Sequence, residues 1–118
     1  MTMIDVNTDP MPDTPEQLFA KLLELAHKAP AGDQILATCM TVTQMIIEKN
    51  IAYGNSALEP AQIFSKATAD AQIDVRIDDK LNRIMKGASY PGDNDILDLT
   101  GYFILKLVYR HHFAIDKP

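Results

Sequence analysis

Hydrophobic residues recur along this chain at intervals of three and four positions, the spacing that places side chains on one face of an α-helix. The pattern predicts four helices, at about residues 14–27, 33–50, 68–86 and 94–111. No stretch alternates between apolar and polar residues as a half-buried strand would. The sequence therefore predicts an all-α fold, a four-helix bundle-type domain that occupies residues 14–118.

Capping signals mark the ends of these helices. Thr14 and Gln17 have the spacing of a capping box at the start of the first helix. Asp33 is the predicted N-cap of the second helix, and Thr68 is that of the third. Gly87 predicts a left-handed stop after the third helix.

Two segments lie outside this pattern. Residues 1–13 contain two prolines and three aspartates without periodicity, so they are interpreted as a flexible N-terminal arm. Between the second and third helices, a further turn of helix is predicted to begin at Pro60. It would carry Ile63 and Phe64 into the core.

The fourth predicted helix is apolar nearly all round. Ile96, Phe103 and Leu107 form one row along it, and Leu105 and Tyr109 lie on another. Such a helix is expected to be buried on more than one side.

The net charge limits the kinds of partner that the protein is expected to bind. The chain has 118 residues, enough for one domain, and a formal net charge of −5 without a cluster of basic residues. Binding to a nucleic-acid polymer depends mainly on clustered lysine and arginine, so such a partner is not expected. An acidic protein can still bind a small polyphosphate when divalent metal ions lie between carboxylates and phosphate oxygens.

The cysteine content and the length of the apolar runs indicate the cellular compartment. Cys39 is the only cysteine, so no disulfide can form within the chain, and it is predicted to be a small core residue. No apolar run approaches the roughly 18 residues of a membrane span. The expectation is a soluble protein of the cytoplasm.

Two short acidic clusters are separated by twelve residues. The first is Asp78-Asp79-Lys80-Leu81-Asn82 on the third predicted helix, and the second is Asp95-Ile96-Leu97-Asp98 on the fourth. Carboxylates that face each other across two helices of a bundle can hold divalent cations. This arrangement is the main candidate for chemistry in the sequence.

The second cluster begins a face of the fourth helix that is otherwise apolar or aromatic. Helical spacing aligns its members, which are Asp95, Asp98, Tyr102, Leu105 and Tyr109. Asp95 lies in the first turn, where interaction with free backbone amides explains an acid equally well. Asp98 lies further along the helix, and a partly buried carboxylate there needs a cation or a donor.

The first cluster has a simpler alternative explanation. Asp78, Asp79 and Asn82 fall opposite the apolar stripe of their helix. A solvated face, with Arg76 and Arg83 as ion-pair partners of Asp79, is the alternative to a metal site.

Lys80 differs from its neighbours because it falls within the apolar stripe of the third helix. A lysine in such a position either extends along the apolar surface to water or projects into a site. In a phosphate site it would be a point charge for a leaving pyrophosphate.

The loop after the second helix is a third candidate. Lys49, Asn50, Tyr53 and Asn55 provide a cation, two amides and an aromatic ring, a set that suits stacking and hydrogen bonding to a nucleoside. Alternatively, Asn50 and Gly54 only end the helix and form the turn.

The two acidic clusters together resemble the signature of the all-α nucleoside triphosphate pyrophosphohydrolase (MazG-like) superfamily, which is EExxE followed by ExxD. Residues 49–102 are also similar to small phage and bacterial proteins of that superfamily, including a nucleotide-modification-associated branch. The chain departs from the signature because aspartate replaces glutamate at Asp78, Asp79 and Asp95. Asn82 stands where the signature has the last glutamate of its first cluster.

The resemblance implies hydrolysis of a (deoxy)nucleoside triphosphate to the monophosphate and pyrophosphate, with a purine such as (d)GTP as a candidate substrate. It implies two or three Mg²⁺ or Mn²⁺ ions held by carboxylates. The implied metal ligands are Asp78, Asp79, Asp95 and Asp98, with Glu48, Glu59 or Asn82 to complete the shell. The implied catalytic residues are Asp79, Lys80 and Asp98, and the implied substrate-binding residues are Lys49, Asn50, Tyr53, Asn55 and Arg83.

A homodimer or homotetramer is also implied, because four-helix chains of this superfamily normally pair. The alternative function is a non-enzymatic helical module for dimerisation and interaction. Asn82 favours that alternative, since an amide is a weak, neutral metal ligand.

Overall fold

A computed structural model of the protein describes residues 14–87 and 91–114. In these ranges the chain forms four α-helices and no strand. They are α1 (Pro15–Lys28), α2 (Gly32–Tyr53), α3 (Ala69–Met85) and α4 (Asp95–His112). The predicted all-α fold is confirmed, whereas the predicted arm at residues 1–13 lies outside the described residues.

Most of the predicted helix ends are confirmed. At α1, the Gln17 backbone N–H donates to Thr14 Oγ1 at 3.3 Å, and the Thr14 N–H donates to Gln17 Oε1 at 3.1 Å. Thr68 caps α3 by accepting from the Ala71 N–H at 3.2 Å. Gly87 follows α3 with a φ of 68°, the left-handed conformation that glycine adopts without strain.

The predicted N-cap of α2 is wrong. Ala31 occupies that position without a side-chain hydrogen bond, and Asp33 lies inside the first turn, 3.2 Å from His27 Nδ1. The reason is close packing of the helix start against the end of α1. A Cβ added to Gly32 would overlap the carbonyl oxygen of Ala26.

The predicted turn of helix at Pro60 is also wrong. Residues 60–67 are not helical, and Ile63 and Phe64 are 74% and 98% exposed. Gln62 has a left-handed φ of 55°, and its side chain donates to two backbone carbonyls further along the loop. These local hydrogen bonds compete with a helix and turn the two apolar side chains outward.

The helices form two hairpins. α1 packs on α2, α3 packs on α4, and α2 contacts α4. Ile73 and Ile77 of α3 are buried, and Tyr109 of α4 is buried with Leu58 and Ala69. The core therefore lies mainly along α3 and α4.

Several residues that the pattern assigned to the core are exposed. Cys39 is exposed, so its prediction as a core residue is wrong. Ile96, Phe103 and Leu107 on α4 are 75%, 50% and 38% exposed, so in the single chain α4 is not covered on this side. The physical reason is that α4 contacts α3 and α2 on its other sides, and no helix of the described chain covers this outer apolar row.

Candidate functional site

A cavity of about 270 Å³ lies between the C-terminal half of α2 and the N-terminal half of α4. Its polar and aromatic walls consist of two cations, one amide, one carboxylate and two phenol rings, namely Lys49, Arg76, Asn50, Asp98, Tyr53 and Tyr102. Met45, Ile46 and Leu105 add an apolar portion. A mainly apolar cleft with a few convergent polar groups is typical of a small-molecule site.

Gly101 provides the space for this cavity. A Cβ at this position would lie 3.4 Å from Met45 Cε and 3.8 Å from Ile46 Cγ1. These are ordinary contact distances, so α4 passes α2 with room for a methyl group and little more. A larger side chain would project into the cavity that Gly101 helps to line.

The predicted polar and aromatic face of α4 is confirmed in its central part. Asp98, Tyr102 and Leu105 all line the cavity, as their helical spacing indicated. Tyr109 continues the same face into the core, where it is buried. The face therefore changes from a cavity wall to core packing along the helix.

Lys80 lies at the centre of a cluster of charges beside this cavity. Its ammonium nitrogen is 2.9 Å from Asp98 Oδ2, 3.3 Å from Asp95 Oδ1 and 3.4 Å from Asp93 Oδ2. Arg83 Nη1 lies 2.6 Å from Asp93 Oδ2 and 4.0 Å from Asp95 Oδ1. We call these five residues the lysine–aspartate cluster.

The cluster holds Lys80 as a buried ammonium ion. The residue is only 9% exposed, and a lysine so placed is stable as a cation when carboxylates surround it. The hydrogen bond with Asp98 is the largest influence on the pKa of Lys80 and raises it. Together with Asp95, it outweighs the opposing effect of desolvation. Of the two alternatives that the sequence left open, the structure shows Lys80 turned towards the carboxylates of the cluster and not extended to water.

Lys80 of the first acidic cluster contacts the second, but the carboxylates of the two clusters do not come together. Asp78, Asp79 and Asn82 are exposed, whereas Ile77 and Lys80 are the α3 residues of this region that are buried. In the described part of the chain, no three His, Cys, Asp or Glu side chains are arranged to hold a metal ion. The role of the first cluster as a metal ligand stays a prediction that a single chain does not support.

The lysine–aspartate cluster, as arranged, does not fit an additional divalent ion. The oxygens of Asp93, Asp95 and Asp98 that would ligate such an ion are within hydrogen-bonding or ion-pair distance of Lys80. A metal ion would therefore have to take the place of the ammonium group.

Glu48 and Glu59 are both engaged elsewhere. Glu48 lines a different groove of α2, with Met40 and Ile47, and accepts a hydrogen bond from Gln44 Nε2 at 3.0 Å. Glu59 accepts from Asn55 Nδ2 at 2.8 Å. Neither is among the residues that line the cavity.

The segment predicted as a loop after the second helix forms the last turn of α2, which ends at Tyr53, and the turn that follows it. Asn50 Nδ2 donates to Asn55 Oδ1 at 2.7 Å, and Gly54 ends the helix with a φ of 63°. Asn50 also lines the cavity, together with Lys49 and Tyr53. Asn55 is not among the lining residues, and its hydrogen bonds instead order the turn that positions Asn50.

Two residues of the site were not predicted for it. Arg76 was considered only as an ion-pair partner of Asp79, although it precedes Lys80 by four positions and so lies on the same side of α3. Asp93 lies in the loop before the Asn94 cap, where helical spacing gives no information. Its contact with Arg83, instead of an Arg83 pair with Asp79, depends on the path of that loop.

Searches against protein-family models, curated proteins and solved structures find no match to this chain. Among the described residues, no helix is both long enough and apolar enough to cross a membrane. The cavity and the cluster beside it are therefore the features of this chain that bear on its function.

Proposed function

We propose that this protein is a nucleoside triphosphate pyrophosphohydrolase. It would hydrolyse a (deoxy)nucleoside triphosphate, with a purine such as (d)GTP as the first candidate, to the monophosphate and pyrophosphate. The observation that supports the proposal is one cavity that combines aromatic rings, an amide and two cations, next to the lysine–aspartate cluster. Each part of a nucleotide has a chemically suitable partner there.

The nucleoside would occupy the aromatic part of the cavity. Tyr53 and Tyr102 offer ring faces for stacking, and the Asn50 amide offers hydrogen bonds to a base or sugar. Lys49 and Arg76 would bind phosphate oxygens, since Arg presents a fork of donors and Lys a point charge. In a chain with a net charge of −5, this pair of cations provides a local positive region for an anion.

Asp98 links the two parts of the site. Its side chain lines the cavity and also contacts Lys80 in the cluster. A triphosphate in the cavity would therefore extend towards Lys80 and Arg83, which can balance charge on a departing pyrophosphate. When bound, Mg²⁺ or Mn²⁺ would supply further charge neutralisation and activation of water.

A homodimer or homotetramer forms part of the proposal. The exposed apolar row of α4, Ile96, Phe103 and Leu107, gives a partner copy a surface to cover. Association could also change the surroundings of Asp78 and Asp79, which are exposed in the single chain.

The second candidate is a non-enzymatic helical module for dimerisation and interaction. The observation that favours it is the engagement of Asp93, Asp95 and Asp98 by Lys80, since a purely structural ion cluster would have this geometry. The same exposed apolar row would then be its functional surface.

The deciding experiment measures pyrophosphate release from the four ribonucleoside and four deoxyribonucleoside triphosphates, with Mg²⁺ or Mn²⁺. The proposal expects metal-dependent turnover of at least one substrate. Asp98→Asn should reduce kcat/KM by about a hundredfold or more, because the Asp98 carboxylate holds the Lys80 ammonium group beside the phosphate end of the cavity. Asp33→Asn, the same change at the start of α2, is the matched control and should keep the wild-type rate. Absence of turnover on all eight substrates would leave the interaction module as the better explanation.

Asp79→Asn extends this experiment to the first acidic cluster. A large loss of activity would place Asp79 in the site of the assembled protein, as the resemblance implies. An unchanged rate would assign Asp79 to the solvated face on which the single chain presents it.

A further inference from the structure

The lysine–aspartate cluster is built around a position that already contains a cation. Three carboxylates, from Asp93, Asp95 and Asp98, converge on the single nitrogen of Lys80 at 2.9 to 3.4 Å. Lys80 comes from a different helix and is more than nine-tenths buried, so its placement is a feature of the α3–α4 packing.

We propose that the Lys80 ammonium group occupies the position that a divalent metal ion would take among these carboxylates, so that the two cations exclude one another. The nucleotide-free protein therefore does not bind metal at these carboxylates. The mutual exclusion stands on the geometry alone. The movement of Lys80 from these carboxylates to a bound polyphosphate rests on the proposed function.

The exclusion follows from distance and charge. A divalent ion such as Mg²⁺ needs carboxylate oxygens at about 2.0–2.1 Å, so it would have to occupy the space between the same oxygens that contact the ammonium group. Two cations in that space would repel each other strongly in a site of low solvent exposure. Either Lys80 or the metal ion can be bound by these carboxylates, but not both.

Displacement of Lys80 requires another anion to receive it. A buried ammonium without a partner is costly, so the side chain has no reason to leave the carboxylates in the free protein. Asp98 both lines the cavity and contacts Lys80, so a polyphosphate beside Asp98 would offer the oxygens that Lys80 needs.

The test measures Mn²⁺ binding to the nucleotide-free protein by isothermal titration calorimetry and by the electron paramagnetic resonance signal of free Mn²⁺. Wild-type protein is expected to bind weakly. Lys80→Met keeps the length of the side chain, removes the cation and should bind Mn²⁺ about tenfold or more tightly than the wild type. Adding Asp98→Asn to Lys80→Met should remove the gain.

Lys106→Met is the matched control. Lys106 is another partly buried lysine of the α3–α4 pair, and it donates to two carboxylates, Asp70 and Asp74. The two lysine variants change the net charge by the same amount. Only the Lys80 variant should gain tight Mn²⁺ binding, because only that position has three converging carboxylates.

Removal of Lys80 leaves three carboxylates in mutual repulsion, so the variant could unfold without metal. The midpoint of thermal unfolding, measured by circular dichroism, shows whether the variant is folded with and without metal. Mn²⁺ should raise the midpoint of Lys80→Met, or refold it, and should have a much smaller effect on wild type and on Lys106→Met. Lys80→Gln is measured in parallel.

Three results would overturn the proposal: tight Mn²⁺ binding by the wild type at these carboxylates, no gain in either Lys80 variant, or Lys80 variants that stay unfolded with Mn²⁺. The outcome is separate from that of the proposed function. Turnover without a gain in metal binding would reject only the exclusion by Lys80. A gain in metal binding without turnover of any substrate would reject only the hydrolase.

Discussion

Gly101 is the residue at which α4 passes Met45 and Ile46 of α2 with space for no more than a small side chain. Asn55 is a second residue with an indirect effect on the site, since its side chain holds Asn50 from the turn after α2. Neither residue needs to touch a substrate to determine the shape of the cavity. The shape of the cavity therefore depends on Gly101 and Asn55 as well as on the charged groups that line it.

Substitution at Gly101 tests whether the cavity is where the nucleotide binds. Gly101→Leu should weaken nucleotide binding by about tenfold or more, because the added side chain would fill part of the cavity. Overpacking is also expected to cost about 1–3 kcal/mol of stability. Gly101→Ala, whose Cβ meets its neighbours at ordinary contact distances, should bind nearly as well as the wild type.

The measurement is isothermal titration calorimetry with a nucleoside triphosphate whose α–β bridge is not hydrolysable. Chemical denaturation of all three proteins provides the stability control. Equal affinity of Gly101→Leu and wild type would show that the nucleotide does not occupy this cavity.

At the scale of the elements, α3 and α4 are joined at both ends by ion pairs. The lysine–aspartate cluster lies near the start of α4, and Lys106 further along donates to Asp70 at 3.0 Å and also to Asp74. Asp70 and Asp74 are four positions apart on α3, so one lysine reaches both. These pairs fix the alignment of two helices whose contact buries the core.

The Lys106 contact predicts a stability effect with a defined pH dependence. Burial by itself would lower the pKa of Lys106, but hydrogen bonds with Asp74 and Asp70 outweigh it, and the net direction is upward. A raised pKa in the folded state means that the stabilisation is complete below the unfolded-state pKa of about 10.4. It is lost as the pH rises through the folded-state value.

Lys106→Met should therefore be less stable than the wild type by about 1 kcal/mol at pH 7 to 9, a modest value because Asp74 is half exposed. The difference should shrink above about pH 10.4. Urea unfolding of the two proteins across this range measures it. Lys86→Met, at an exposed lysine that follows α3, controls for the titration of other groups. A difference that is constant with pH would mean that Lys106 acts through packing and not through its charge.

At the scale of the whole molecule, the single chain leaves apolar surface exposed on several helices. Besides the α4 row, Ile47 and Ile51 of α2 are 54% and 76% exposed. Exposed apolar patches of this kind mark interaction surfaces in proteins that remain in solution. The proposed self-association depends on this exposed apolar surface.

A charge placed in the α4 row tests this interpretation. Phe103→Glu should shift the protein from a dimer or tetramer towards the monomer, because burial of an unpaired carboxylate in an interface is costly. Ala71→Glu adds the same charge at an exposed position of α3 and should leave the assembly unchanged. Sedimentation velocity at several concentrations measures the mass. A wild-type protein that is monomeric throughout would contradict the prediction.

The sequence by itself determined the four helices, most of their caps and the face of α4 formed by Asp98, Tyr102 and Leu105. These features depend on hydrogen bonds and side-chain alignment within about four residues, so a local pattern contains them. It failed at Pro60, where polar side chains turn the backbone away from the helix that the apolar spacing indicated.

Only the tertiary structure decided which charges meet. The pairing of Lys80 with Asp93, Asp95 and Asp98, and the exposure of Asp79, depend on how α3 is rotated against α4 and on the loop between them. Side-chain packing over the whole helix interface sets that rotation, and no spacing within one helix encodes it. The spacing of the aspartates was thus visible in the sequence, while their contacts with Lys80 were visible only in the fold.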